Sequence, residues 1–431
     1  MTARVVVVVL DGLRRDALGP ELTPNLTHFA ENAACCPGFR SAFPSATRVV
    51  SATFATGCYP ARHGLAGNSM ALIEDGALVR HDAGAPGFLQ HRRRVTGRAL
   101  DVPTLAERLA GAGGAEVFSN VSPGAAYAHD PDGFGYVHNR AGSFAPERRP
   151  IAPLPVALDS EGDRAMTERF IAEAVDGRTP ALALLWLGEP DHSQHEHPLG
   201  SPACLAAITA ADRRFAEVRR AVERRRRDGE DVLLIAMSDH GHRTVREVID
   251  IDAALAGAGL KDRPEDMDLI AVSSGTAALI YLHPDRAADA GRVATWLRAQ
   301  PWAGGVLEEE ALAGVGQART QSLVCAVSMR DDDAPNAFGV KGGGWSALPH
   351  DGKPDRLGCG QHGGLSAWEQ MPLLMIEGTG FAPDGRLREA SIVDLAPTIL
   401  RHLGQSPTGL DGRALQGGAV SAEAMPAPRQ S

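Results

Sequence analysis

No two cysteines of this sequence stand at the Cys-x-x-Cys spacing of a thiolate metal site or redox pair. Cys35, Cys36, Cys58, Cys204, Cys325 and Cys359 read as reduced structural thiols, which leaves any metal chemistry to oxygen and imidazole ligands. Positive charge is also short: 43 Lys and Arg face 53 Asp and Glu, a formal net charge of −10. That deficit argues against a nucleic-acid backbone as the main partner. It does not exclude a phosphate ligand, because a bound metal reverses the local sign. The apolar run at residues 5–10 is too short for a membrane span and lacks a signal-peptide cleavage region. The expectation is a cytoplasmic protein with no membrane partner. Repeats and long linkers are absent as well. With 431 residues, 44% of them hydrophobic, the chain accommodates two ordinary domains or one large α/β domain with an insertion.

What the sequence does have is a set of continuous apolar runs, at 5–10, 181–187 and 232–237. Each reads as a strand buried on both faces of a parallel sheet. Each is followed within 4 residues by an aspartate: Asp11, Asp191 and Asp239. In a parallel sheet those strand ends share one edge, where open α/β folds bind ligands. Helices are expected over 24–33, 47–56, 103–112, 163–175, 203–227 and 392–403, with further strands at 116–119 and 373–376. Residues 122–160, rich in Gly, Pro and Ala, read as surface loop. Residues 245–355 break the pattern, with strands at 277–282 and 322–328, a helix at 285–299, and a loop after Gly342-Gly343-Gly344. The fold class expected is α/β, a mostly parallel sheet flanked by helices. Its core spans 1–244 and 356–415, a smaller inserted α+β subdomain 245–355, and a mobile tail 416–431.

The stretch Phe43-Pro44-Ser45-Ala46-Thr47-Arg48 leads into the 47–56 helix, which Gly57 ends. Ser45 is a plausible N-cap. Thr47 then sits in the first turn, where free N–H groups favour an anion. A hydroxyl there suits attack on phosphorus, but threonine is a poor nucleophile without something to take its proton, and no base adjoins it. Candidate ligands for an activating metal are Asp11, Asp191, His195, Asp239, His240 and His362. Oxygen and neutral imidazole donors suit Zn²⁺, with Mn²⁺ or Fe possible. Two ions about 4 Å apart would replace the missing base, one lowering the pKa of the Thr47 hydroxyl and one neutralising a phosphoryl oxygen. The run Arg224 to Arg227 reads as a solvated helix face.

These segments together resemble the alkaline phosphatase superfamily, in its type I phosphodiesterase/nucleotide pyrophosphatase branch. The resemblance rests on Val8-Val9-Leu10-Asp11-Gly12, Phe43-Pro44-Ser45-Ala46-Thr47, Thr56-Gly57-Cys58-Tyr59-Pro60 with His63-Gly64, Glu189-Pro190-Asp191 with His195, Ser238-Asp239-His240-Gly241 and Gly360-Gln361-His362-Gly363. Val393-Asp394-Leu395-Ala396-Pro397-Thr398 resembles the superfamily's closing helix. The resemblance implies that Asp191, His195 and His362 hold one zinc, and that Asp11, Asp239 and His240 hold a second, which also contacts Thr47. It implies Thr47 as nucleophile through a covalent phospho-threonine, and Asn68, 21 residues later, as a phosphate-binding donor.

The sequence departs from that branch in places. Arg48 follows the nucleophile, where it either clamps a charged substrate group or pairs with a surface acid. His197 is an alternative ligand, and Arg92-Arg93-Arg94 with the rest of 70–100 matches nothing in the branch. The expected substrate is a small-molecule phosphate diester or nucleotide pyrophosphate. A phosphonoacetate hydrolase-like C–P hydrolase, with Arg48 or Lys341 on the carboxylate, is an alternative, followed by a phosphomonoesterase. A non-catalytic metal-binding relative would lack a ligand or the nucleophile, and all seven positions are present. A sulfatase is disfavoured by Thr at position 47, where Cys or Ser would stand.

Overall fold

The structure is a computed structural model that describes residues 3–320, 322–350, 352–417 and 419–420. Its first strand, β1 (Ala3–Leu10), shows why a continuous apolar run forms a central strand. Val5, Val7 and Val9 point into one hydrophobic cluster, while Val6, Val8 and Leu10 point into another. Successive strand residues face opposite sides, so only a sheet covered on both faces buries them all.

Three strands run parallel to this one: β2 (Ala115–Ser119), β3 (Leu182–Leu187) and β4 (Asp231–Met237), in the spatial order β2-β3-β1-β4. Beside β4 lies β5 (Leu374–Glu377), antiparallel. The chain therefore enters β5 at the edge where it leaves β4, which brings the preceding segment to the carboxyl edge of the parallel strands. Short strands on both flanks extend this to an 11-stranded sheet. On one face packs α1 (Thr47–Thr56), burying Val49, Val50 and Phe54. Beyond β3 comes the short α2 (Asp191–Glu196). On the other face lies the long α3 (Pro202–Arg227), which buries Ala211, Phe215, Val218 and Val222, a helical stripe spaced four, three and four apart. Its Ser201 cap accepts from the Cys204 N–H. Burying Phe215 and Val218 is worth about 1.5–3 kcal/mol each.

The segment expected as an inserted subdomain holds an antiparallel sheet of Leu269–Ser273, Ala277–Leu282, Leu323–Met329 and Ala303–Leu307. One face of this sheet, with Ile280 and Leu282, packs on Val293 and Leu297 in a cluster of its own. The other, with Ile270, Val272 and Leu279, joins the main core. The glycine run expected to lead into a loop belongs to a strand, Lys341–Ala347, paired with Arg243–Ile249.

Residues 122–160 are not a surface loop. The helix Pro123–Ala128 is buried, and Tyr136–His138, Ser143–Ala145 and Arg149–Ile151 extend the main sheet beyond β2. The small residues there serve close packing rather than mobility: a Cβ on Gly124 would overlap the Ala83 carbonyl. Residues 70–100 form a hairpin, Ser69–Glu74 with Ala77–Asp82, and the helix Phe88–Thr96. Of the tail expected over 416–431, Ala419–Val420 adds a short strand, while residues 418 and 421–431 lie outside the described residues. Among the described residues no disulfide joins the six cysteines, and no helix is long and apolar enough to cross a membrane.

Candidate active site

Asp11 follows β1 directly, Asp191 opens α2 just beyond β3, and Asp239-His240 follow β4. His362 arrives on the segment ahead of β5, held by the pairing of Gly360–Gln361 with Arg243 and Thr244. The turn after Asp11 requires glycine. Gly12 has φ +67°, and a Cβ there would lie 2.6 Å from His242 Nε2. Its N–H donates to Asp239 Oδ1 at 3.0 Å, which ties the ends of β1 and β4 together.

The side chains form two clusters. In the first, one carboxylate oxygen, Asp191 Oδ1, faces three imidazoles: His242 Nε2 at 2.8 Å, His195 Nε2 at 3.4 Å and His362 Nε2 at 3.6 Å. In the second, His240 Nε2 lies 3.1 Å from Asp239 Oδ2, 3.4 Å from Asp11 Oδ1 and 3.2 Å from Thr47 Oγ1. A single N–H cannot serve three oxygens. Asp11 Oδ1 and Asp239 Oδ2 are buried without an aligned hydrogen-bond partner among the described residues. Dry, unmatched carboxylate oxygens cost several kcal/mol each, and a cation among them removes that cost.

The proton positions suit the same purpose. Nδ1 of His195, His240 and His362 meets the backbone carbonyls of Gly360, Gly241 and Ser45 at 2.9, 3.1 and 2.7 Å. Each carbonyl fixes the proton on Nδ1 and turns the Nε2 lone pair toward its cluster. His242 is the reverse. Its Nδ1 is buried without a partner among the described residues and its Nε2 faces Asp191, so it donates to that carboxylate and holds it in place. Burial lowers His195, pushes His242 down to about 4 and, with help from His240, holds His362 well below the usual imidazole range. Neutral imidazole is the ligating form. In His240 burial is outweighed by Asp239 and Asp191, and its value is raised. Burial, then the charges of Asp239 and Asp191, pushes Asp11 well up. Burial acts on Asp191 too, but His195 and His242 overcome it and hold Asp191 well below the carboxylate range.

Thr47 begins α1, as expected, but its cap differs. Ala46 occupies the N-cap position without a side-chain bond. Ser45 instead accepts from Gly363 N–H at 3.1 Å and donates to the Gly364 carbonyl at 3.0 Å, tying α1 to the His362 segment. A cavity of about 300 Å³ opens over Thr47, lined also by Arg48, Asn68, Asp191 and His195. Asn68 keeps a buried Oδ1 with no partner among the described residues. Arg48 lines the cavity and also lies 3.7 Å from Asp82.

Other candidates fall elsewhere. His197 is exposed at the end of α2 and belongs to neither cluster. Lys341 lines a separate cavity with Leu199 and Cys204. Arg224, Arg225 and Arg226 pair with Asp176, Glu230 and Glu377 on the α3 surface. His242 is not among the candidates that the sequence singles out. Its position two residues beyond His240 in Asp239-His240-Gly241-His242 was the available signal.

A mostly parallel sheet with candidate metal-binding clusters at its carboxyl edge is an alkaline phosphatase-like arrangement. A family model for type I phosphodiesterase / nucleotide pyrophosphatase matches residues 5–348, and the chain belongs to that family. An uncharacterized pyrophosphatase/phosphodiesterase of Schizosaccharomyces pombe is 42% identical over 65 residues, 15% of this chain and 13% of that protein's length. Murine ectonucleotide pyrophosphatase / phosphodiesterase 5 is similar in structure both as itself and as an inactive form in complex with AMP. Each comparison has a TM-score of 0.67 at 19% identity, covering 97% of this chain and 100% of the murine one.

Proposed function

We propose that this protein is a metal-dependent hydrolase of phosphate diesters or nucleotide pyrophosphates, with Thr47 as nucleophile. The observation that carries the reading is the place of Thr47 Oγ1, in the first turn of α1, 3.2 Å from His240 Nε2 and open to the cavity that Asp191 and His195 also line. Asp191, His195 and His362 would hold one divalent cation, and Asp11, Asp239 and His240 a second. The donor set favours zinc, with manganese or iron as alternatives. When bound, such a pair neutralises phosphoryl charge and lowers the pKa of nearby hydroxyl groups, which replaces the base that Thr47 lacks.

The chain's own residues position the reaction. Thr47 Oγ1 attacks phosphorus in line, the bond to the leaving oxygen breaks, and a phospho-threonine results. Water then adds to phosphorus and releases Thr47, so each ester consumes one water. The free N–H groups of the first α1 turn and the Asn68 amide face the phosphoryl oxygens. His242 keeps Asp191 oriented. Family membership supports the hydrolase class, and the AMP bound by the murine protein supports nucleotide-type phosphates as substrates to test.

The test is metal analysis of purified protein beside turnover of bis(4-nitrophenyl) phosphate. About two zinc ions per chain with turnover is expected. Bound zinc without turnover on any ester overturns the proposal in favour of a binding protein.

A further inference from the structure

The cavity above Thr47 carries a feature that phosphoryl transfer does not use. Its wall presents Arg48, Arg140, Lys353 and Arg356, and among the described residues no Phe, Tyr or Trp lines it. A nucleobase is ordinarily gripped by stacking on large aromatic rings, and the rings that line this cavity are imidazoles, His195 and His362 of them in the candidate metal-binding cluster. The chain as a whole is acidic, so this concentration of cations is local.

Arg356 pairs with Glu196. Arg48 and Lys353 share one carboxylate, Asp82, at 3.7 and 2.7 Å. Arg140 has no carboxylate within 4.0 Å among the described residues. Its Nη1 donates only to neutral oxygens, the Asn120 carbonyl and Asn120 Oδ1. Asp163, the acid whose field reaches it, already accepts from Asn120 and from the N–H groups of Gly188 and Glu189. Arg140 is nevertheless held firmly. Asn139 beside it donates to the carbonyls of Ser119 and Val121 at 2.8 and 3.1 Å. Arg48 is tied to the same segment, since its Nε donates to Ser122 Oγ at 3.2 Å, and Gly84 leaves the space its guanidinium fills. Two guanidinium groups are thus anchored two residues apart, on Asn120 and Ser122, where the chain leaves β2 at the carboxyl edge.

We infer that Arg140 and Arg48 form a subsite for a second anionic group, a carboxylate or a phosphate-type oxyanion, on the part of the substrate retained at phosphorus. The inference rests on Thr47 as nucleophile. In-line attack sends the leaving group away from α1, and Arg48, adjacent in that helix, stays with the retained part. The preferred substrate is then a compact, doubly anionic diester rather than one recognised through a base.

The test compares four 4-nitrophenyl phosphate diesters on the zinc-loaded protein: ethyl, 2-carboxyethyl, 2-phosphonoethyl and thymidine 5′. A charge-assisted contact predicts kcat/KM for one or both charged diesters about tenfold or more above the ethyl diester. The better of the two identifies the anion, and the thymidine diester should gain nothing comparable. Arg140→Gln should bring the charged-to-ethyl ratio toward one through KM, and Arg140→Lys should restore part of it. Equal rates for charged and ethyl diesters, or preference for the thymidine diester, overturn the subsite while leaving the hydrolase reading intact. If no diester turns over, the hydrolase reading fails. Calorimetric binding of 2-carboxyethylphosphonate against ethylphosphonate to the wild-type protein then decides the subsite alone, and equal affinities overturn it.

Discussion

The two candidate metal-binding clusters at the sheet edge are unequal. Asp11, Asp239 and His240 are at most 1% exposed and set two carboxylates against one imidazole. Asp191 and His195 are 18% and 16% exposed, and there one carboxylate meets three imidazoles. The dry cluster sets two carboxylates beside Thr47, and the wetter one lines the cavity through Asp191, His195 and His362. In the proposed reaction this asymmetry divides the work, with activation of Thr47 where water is excluded and the hydrolytic water entering where the site is open.

Removing the hydroxyl beside His240 should have the largest effect. Thr47→Ala should lower turnover by at least about a thousandfold with metal content unchanged. Retained activity would refute the nucleophile. Next, the clusters should be separable. Asp11→Asn should cut zinc from about two ions per chain to about one, with turnover reduced on the order of a hundredfold. His195→Ala should lose the other ion, and mass spectrometry of the intact protein counts what remains. Loss of both ions in either variant would show that the clusters are one site. A smaller effect belongs to His242. Removing an outer partner of a ligand typically weakens metal binding about 10–100-fold, so His242→Gln should release zinc to a chelator at lower concentration. Unchanged affinity would deny it the role of holding Asp191.

A last effect, on stability rather than on metal binding or turnover, lies behind the dry cluster. His129 is buried against Trp186, whose indole N–H donates to Asp11 Oδ2 at 2.9 Å. Burial pushes His129 from 6.5 down to about 3. The unfolded chain therefore binds this proton more readily. The stability that the neutral ring contributes is complete above 6.5 and is lost as pH falls toward 3. His129→Phe should flatten the fall in stability between those limits by about 1.4 kcal/mol per pH unit, read from denaturant unfolding at a series of pH values. An unchanged slope would show that this ring already titrates normally in the folded protein.

How legible each region was follows from its physics. The strands at 5–10, 181–187 and 232–237 stand out because a doubly covered strand must be apolar without interruption, and their observed bounds differ by a residue or two. The 47–56 helix was readable from Pro44 and from Gly57, whose φ is +63°. Arg140 was not readable, because the segment that carries it has short strands and close-packed small residues in place of a period. His242 was masked by its neighbour, since the sequence does not say which of two nearby histidines would ligate and which would support in the proposed site. The proposed difference lies in whether Nδ1 meets a carbonyl, as in His240, or has no partner among the described residues, as in His242.

By itself the sequence determined the class of fold, the shared edge and the residue types available there, because burial forces apolar continuity and strand ends force the turn residues. Only the tertiary structure decided how those residues divide into a drier and a wetter cluster, that Ser45 ties α1 to the His362 segment instead of capping it, and that Arg140 stands by the cavity without an acid partner among the described residues. These depend on distances between residues far apart in the chain, which no local pattern encodes.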